Sequence, residues 1–212
     1  MKKLGNVMIL GDSYSTFKGY IPEGYAPYYS ETREDEMDVR SVEVTWWHKL
    51  ISETESELIL NCSYSGTTIC HTGYNGSDCK NISFVARLRK LIEEGFFDKN
   101  KIDTLFVFGG TNDSWANSPL GELKYDNISE EEIYNVLPAI GYLFGMINEK
   151  LSGVRIVCII NTGLKTEISD AFDTMCEKYG IERVKLCDIE KFNGHPNIKG
   201  MEQIKAQVLE KL

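Results

Sequence analysis

Five short apolar runs, spread along the whole chain and separated by stretches of helical periodicity, leave few folds open to this sequence. They occupy residues 7–10, 58–62, 105–108, 154–160 and 184–187. Each is too short for a buried helix, is rich in β-branched residues, and ends at polar or turn residues. That combination predicts strands buried on both faces. Between them, residues 44–52, 82–94, 130–151, 168–179 and 201–212 place apolar side chains three and four apart, the spacing of one helix face. Ser129-Glu130-Glu131-Glu132 is a capping box and predicts a helix start at that point. Strand–helix alternation from end to end implies a parallel sheet with helices on both sides. We expect a flavodoxin-like three-layer α/β/α sandwich with five parallel strands in the order 2-1-3-4-5. No repeat or linker interrupts the pattern, so residues 1–212 are expected to form a single domain.

Two segments fall outside the alternation. Residues 14–42 hold Gly19, Pro22, Gly24 and Pro27 and then a charged stretch, and residues 111–128 form a second long connection. Connections of that length in compact domains are usually functional. The first is dense in aromatics, with Phe17, Tyr20, Tyr25, Tyr28 and Tyr29 leading to Trp46 and Trp47. They can pack the connection onto the sheet or form a lid or platform for an apolar or sugar substrate.

Net charge excludes some partners. The chain carries −9 at neutral pH with no basic cluster, which argues against a nucleic-acid ligand. No apolar stretch is long enough to span a membrane. The Met1-Lys2-Lys3 start is followed too soon by Gly-Asp-Ser to read as a signal peptide. The six cysteines include no Cys-x-x-Cys. Cys158 and Cys187 fall within apolar runs, where a thiol acts as a small hydrophobe, so reduced cysteines and a cytoplasmic location are expected. A Cys70–Cys79 bridge would suit an exported chain. His71 beside these cysteines matches no zinc template. The oligomeric state is left open.

Chemistry is concentrated at the ends of the strands. In an open parallel sheet, ligands bind beyond the carboxyl ends. There lie Gly11-Asp12-Ser13-Tyr14-Ser15, then Ser63-Tyr64-Ser65-Gly66-Thr67, Gly109-Gly110-Thr111-Asn112-Asp113, and Asn193-Gly194-His195-Pro196-Asn197. Ser13 becomes a nucleophile if a base takes its proton, and of three histidines only His195 falls on this rim. The N–H groups of Ser13 and Gly66 and the side-chain amide of Asn112 can serve a developing oxyanion. Trp115, three residues beyond Asn112, is the pocket candidate for substrate.

These four blocks together resemble the SGNH (GDSL-like) hydrolases. Gly11-Asp12-Ser13 is similar to the first block, Ser65-Gly66 to the second, Gly110-Thr111-Asn112-Asp113 to the third, and His195-Pro196-Asn197 with Gly200 to the last. The resemblance covers nearly the whole chain. It implies a serine esterase that forms an acyl-enzyme on Ser13, uses His195 as general base, needs no metal or cofactor, and acts on a small-molecule ester, with small-acyl esters of carbohydrates as candidate substrates. It also implies an acid three residues before the histidine, where this chain has Phe192. Asp188, after the last strand, is expected to take that role. Glu190 or a backbone carbonyl are the alternatives. Phe192 also motivates a rival reading, a catalytically weak glycan-binding relative. A phosphate- or nucleotide-binding module built on Ser13-Tyr14-Ser15-Thr16 is another, but it leaves Asn112 and His195 without a task.

Overall fold

The computed structural model describes residues 3–212, so the Met1-Lys2 start lies outside the described residues. Five strands form one parallel sheet in the order β2-β1-β3-β4-β5. They are β1 (Asn6–Gly11), β2 (Glu57–Ser63), β3 (Thr104–Gly109), β4 (Arg155–Ile160) and β5 (Glu182–Lys185). The order is the one the sequence predicts. All six residues of β3 are buried, which is why its run is continuous rather than alternating.

Alternation along each strand divides the core into two layers. Met8, Leu10, Leu105, Val107, Cys158 and Ile160 face α2 (Phe84–Glu93), α5 (Val136–Lys150) and α6 (Thr166–Tyr179). Val7, Ile9, Phe106, Phe108, Val157 and Ile159 face α1 (Trp46–Glu53) and α7 (Ile198–Lys211). Tyr14, Phe17, Tyr29, Met37 and Val39, all from the long first connection, join this second layer. Each such side chain removed from water contributes roughly 1.5–3 kcal/mol. The connection is therefore held by burial even though it lacks long elements. Two short helices, α3 (Phe96–Lys99) and α4 (Thr111–Trp115), complete the helical set among the described residues.

Three elements depart from expectation. The capping box forms, with Ser129 N donating to Glu132 Oε2 at 2.9 Å and Glu132 N to Ser129 Oγ at 3.3 Å, but it closes only a 3-10 turn. The long helix starts later, at Val136. Pro138 explains the break. A continuous helix would press its ring on the carbonyl four residues back, whereas a start at Val136 places it in the first turn, where no N–H is needed.

The last strand stops at Lys185. Gln207 of α7 then takes the backbone of Cys187, accepting its N–H at 2.9 Å and donating to its carbonyl at 2.7 Å. Cys187 is consequently exposed, not a core thiol, while Cys158 is buried. All six cysteines are free, Cys70 and Cys79 included.

The third departure is a two-pair antiparallel hairpin, β6 (Lys191–Phe192) with β7 (His195–Pro196). Its turn is Asn193-Gly194, both in the left-handed region at φ 48° and 80°. That dipeptide suits a two-residue hairpin turn because both central positions need positive φ.

Candidate active site

Ser13 opens a 3-10 turn directly after β1. Asp12 caps that turn, its Oδ1 accepting the Tyr14 N–H at 3.0 Å. Ser15, the second serine of the block, anchors it from behind. Trp46 Nε1 donates to Ser15 Oγ at 3.2 Å, and Asn61 Nδ2 donates to Ser15 O at 2.8 Å. Gly11 permits this close approach, because a Cβ there would lie 2.4 Å from Ser63 Oγ. Ser13 is only 2% exposed, so it lies beneath the rim rather than on it. As the first residue of its turn, its N–H has no acceptor within the turn.

His195 reaches Ser13 across the whole sequence. Its Nε2 lies 2.9 Å from Ser13 Oγ. Its Nδ1 lies 3.2 Å from the carbonyl oxygen of Asn193. A carbonyl can only accept, so Nδ1 carries the proton and Nε2 presents its lone pair to the serine hydroxyl. This corrects the expectation for Asp188. After Lys185 the chain turns toward Gln207, and Asp188 sits exposed at φ 52° with no hydrogen bond to the ring, whose nitrogens go to Asn193 O and Ser13 Oγ. Glu190 is engaged elsewhere, its carboxylate accepting from Asn197 Nδ2 and Lys199 Nζ, each at 2.7 Å. Those two partners hold its carboxyl below the ordinary range.

The imidazole is enclosed by aromatic rings. Tyr28 stacks on it with centroids 3.5 Å apart and planes at 9°. Tyr14 and Trp115 approach more edge-on, at 5.4 and 5.5 Å. Burial pushes the His195 pKa down from 6.5 to about 4. The Asn193 carbonyl opposes that shift, and the charges of Arg33 and Lys191 add to it. Lys191, in β6, donates to Thr162 Oγ1 at 2.8 Å, and burial lowers its own pKa. Burial also pushes the Asp12 carboxyl up to about 7 and that of Asp113 up to about 6.

The second and third blocks meet beside Ser13. Gly110, at φ 88°, precedes α4 and leaves Asn112 buried in its first turn. Asn112 Nδ2 donates to Thr67 O at 3.0 Å, and its Oδ1 accepts from Tyr74 Oη at 2.9 Å. The tyrosine fixes which way the amide points and leaves one N–H of Nδ2 for a ligand. Asp113 accepts from the N–H groups of Ile69 and Cys70, tying α4 to the loop that carries Gly66. Gly66 takes φ 78°, and its N–H has no partner among the described residues. Arg87, 2% exposed, locks the same loop. It donates to Thr67 Oγ1 at 3.1 Å, to Ile82 O at 3.0 Å and to Cys62 O.

Ser13, Gly66, Asn112, His195 and Trp115 thus converge at the carboxyl ends of the strands, and Asp188 does not. Trp115 is 44% exposed and packs on Gly194. Sequence reasoning missed Tyr74 and Arg87 altogether, and it named Tyr14, Tyr28 and Asn193 without the contacts they make here. Only Asn193 carried a local signal, the Asn-Gly turn; the others act through partners far along the chain. His71, considered above with the cysteines, instead has its Nδ1 2.9 Å from Ser83 Oγ.

Comparison with known proteins places the chain in a family. The family described as GDSL-like Lipase/Acylhydrolase matches residues 5–212. A GDSL-like lipase candidate from Bacteroides ovatus ATCC 8483 is 42% identical, covering 99% of this chain and 98% of that one, with a TM-score of 0.91. Another from Bacteroides uniformis ATCC 8492 is 41% identical over 98% and 95%, also at 0.91. A family two carbohydrate esterase from Clostridium thermocellum, solved with cellohexaose, shares the fold at 14% identity and a TM-score of 0.60, over 100% of this chain and 67% of that one. No curated protein matches. With a family match over nearly its full length and relatives above 40% identity, the chain belongs to the GDSL-like lipase/acylhydrolase family.

Proposed function

We propose that this protein is a serine carboxylic ester hydrolase that works through an acyl-enzyme on Ser13. The observation that carries the reading is the Ser13 Oγ–His195 Nε2 contact at 2.9 Å, with the Asn193 carbonyl setting the tautomer. His195 Nε2 takes the hydroxyl proton as Oγ attacks the ester carbonyl carbon. The carbonyl oxygen becomes an oxyanion facing the N–H groups of Ser13 and Gly66 and Nδ2 of Asn112. His195 passes its proton to the departing alcohol as the C–O bond breaks. Water then attacks the acyl group, its proton goes to His195, and the carboxylic acid leaves as the proton returns to Ser13. The acid that usually supports such a histidine is replaced by a neutral carbonyl. That fixes the tautomer but lends the imidazolium no full charge.

The substrate we favour is a small-acyl ester on a carbohydrate. Trp115 supports the alcohol side of that reading, with an exposed ring beside His195 where the apolar face of a sugar can lie. Ser13, almost fully covered, favours a short acyl group. p-Nitrophenyl esters of increasing chain length test this. Acetate or propionate should be turned over fastest, with kcat/KM falling steadily toward octanoate. Rates that rise with chain length would assign a lipid substrate instead. No turnover of any ester, together with retained glycan binding, would make the protein a binding relative.

The oxyanion site gives a sharper expectation. Asn112→Ala should lower kcat by roughly a hundred- to a thousandfold, as removal of one such donor does elsewhere. KM should change little, because the charge appears only in the transition state. Steady-state kinetics on p-nitrophenyl acetate separates the two constants.

A further inference from the structure

Two features leave His195 in need of support. Among the described residues no carboxylate hydrogen-bonds its ring, and it sits in a hairpin of two residue pairs outside the five-stranded sheet. A hairpin that small is at best marginally stable on its own. Three tyrosines of the first connection supply what is missing. Tyr14 Oη donates to the carbonyl of Gly194, and Tyr29 Oη donates to the carbonyl of Pro196 at 2.8 Å. The residues on either side of His195 are therefore tied down. Tyr28 lies flat on the imidazole between them.

Tyr28 is itself fixed. Its N–H donates to Thr16 Oγ1 at 2.8 Å, and that hydroxyl donates to the carbonyl of Ser13 at 3.0 Å. The Arg33 guanidinium lies 4.0 Å from its ring centroid, and Arg33 also donates to the Tyr28 carbonyl. Two groups so close to one centroid must occupy opposite faces. Neither face of Tyr28 is then free for a sugar ring, and Tyr29 is fully buried. A substrate platform therefore does not account for these two rings.

We propose that Tyr28 is a positioning residue that complements the Asn193 carbonyl in place of an orienting acid: the carbonyl fixes the tautomer, Tyr28 holds the His195 ring plane toward Ser13, and Tyr14 and Tyr29 hold the backbone on either side. The inference rests on the Ser13–His195 reading of the site. It gives the aromatic first connection a catalytic purpose beyond packing. The ring also keeps water from one face of the imidazole. The titratable and charged groups around His195 are Tyr14 from the nucleophile turn, Tyr28 and Arg33 from the connection, and Lys191 from the hairpin. Since burial is the largest cause of the low His195 pKa, uncovering that face should raise it.

Kinetics of Tyr28→Leu and Tyr28→Phe on p-nitrophenyl acetate, with pH profiles of kcat/KM, test the proposal. Tyr28→Leu should lose roughly ten- to a hundredfold in kcat, the scale of a small misplacement of a catalytic group, with KM nearly unchanged. Its acid limb should move up from about 4 toward 6.5. Tyr28→Phe keeps the ring and should stay within a few-fold of wild type with an unmoved profile. A raised KM with an unmoved profile would overturn the proposal in favour of substrate binding. Unchanged kinetics in Tyr28→Leu would reduce the stack to packing. If Tyr28→Leu does not fold, Arg33→Met takes its place, because it removes the group that holds the far face and the carbonyl of Tyr28; kcat should fall several-fold with KM nearly unchanged, and an unchanged kcat there overturns the proposal. Ser13→Ala, run alongside, separates the two levels: activity surviving in that variant refutes the site itself, not the stack.

Discussion

Ser13→Ala is expected to lose ester hydrolysis by roughly ten-thousandfold or more while the fold persists. Among the described residues, the hydroxyl is the only group whose oxygen both faces His195 Nε2 and sits at the turn that offers a free N–H to the oxyanion. Its removal deletes the acyl-enzyme route. What survives is the rate that the oxyanion donors and substrate binding confer on attack by water, which is small. The structural cost is slight, because Oγ serves no partner other than His195 among the described residues. The melting temperature and circular dichroism of the variant should match wild type while p-nitrophenyl acetate hydrolysis falls to near background. Activity within tenfold of wild type would remove Ser13 from the mechanism.

His195→Ala should be nearly as damaging, and the double variant Ser13→Ala/His195→Ala no worse than either alone. The two side chains act as one unit, so their losses do not add. By contrast, Asp188→Asn and Glu190→Gln should each stay within about two- to threefold of wild type, the scale of an exposed change away from the chemistry. The pH dependence follows from the same ring. Only neutral imidazole can take the Ser13 proton, so kcat/KM is lost as pH falls through the His195 pKa. Burial places that fall below the ordinary 6.5, toward about 4. Stability should move the same way. Between 6.5 and about 4 the unfolded chain holds a proton that the folded ring refuses, so His195 weakens the fold as pH falls across that window. A sharp loss of activity in Asp188→Asn would restore the carboxylate to the histidine.

The layers of the fold were legible because the central strands β1, β3 and β4 are largely buried on both faces. A run such as Leu105–Phe108, within β3, has no polar residue to disguise it. The rim was legible for a related reason: strand ends in a parallel sheet are marked by glycine and small polar residues, and four such blocks occurred in order. Errors arose where a local signal was outweighed. The capping box at Ser129 was real, but Pro138 set the helix start. Asp188 follows the last strand, yet Gln207 draws that stretch toward α7. The Asn193-Gly194 turn could have revealed the hairpin, and with it the carbonyl that faces the imidazole. Tyr14 and Tyr29 could not have been read this way. Their partners are 180 and 167 residues away, and no spacing rule joins a tyrosine hydroxyl to a carbonyl at that distance.

The account turns on one atom, Oγ of Ser13. A fluorophosphonate probe reports on it directly, since an activated serine displaces fluoride and keeps the phosphonyl group. Intact mass and peptide mapping should find one adduct per chain on the peptide containing Ser13. Labelling should be absent in Ser13→Ala and strongly slowed in His195→Ala. An enzyme that hydrolyses esters yet carries the label on another residue, or none at all, would contradict a Ser13–His195 mechanism.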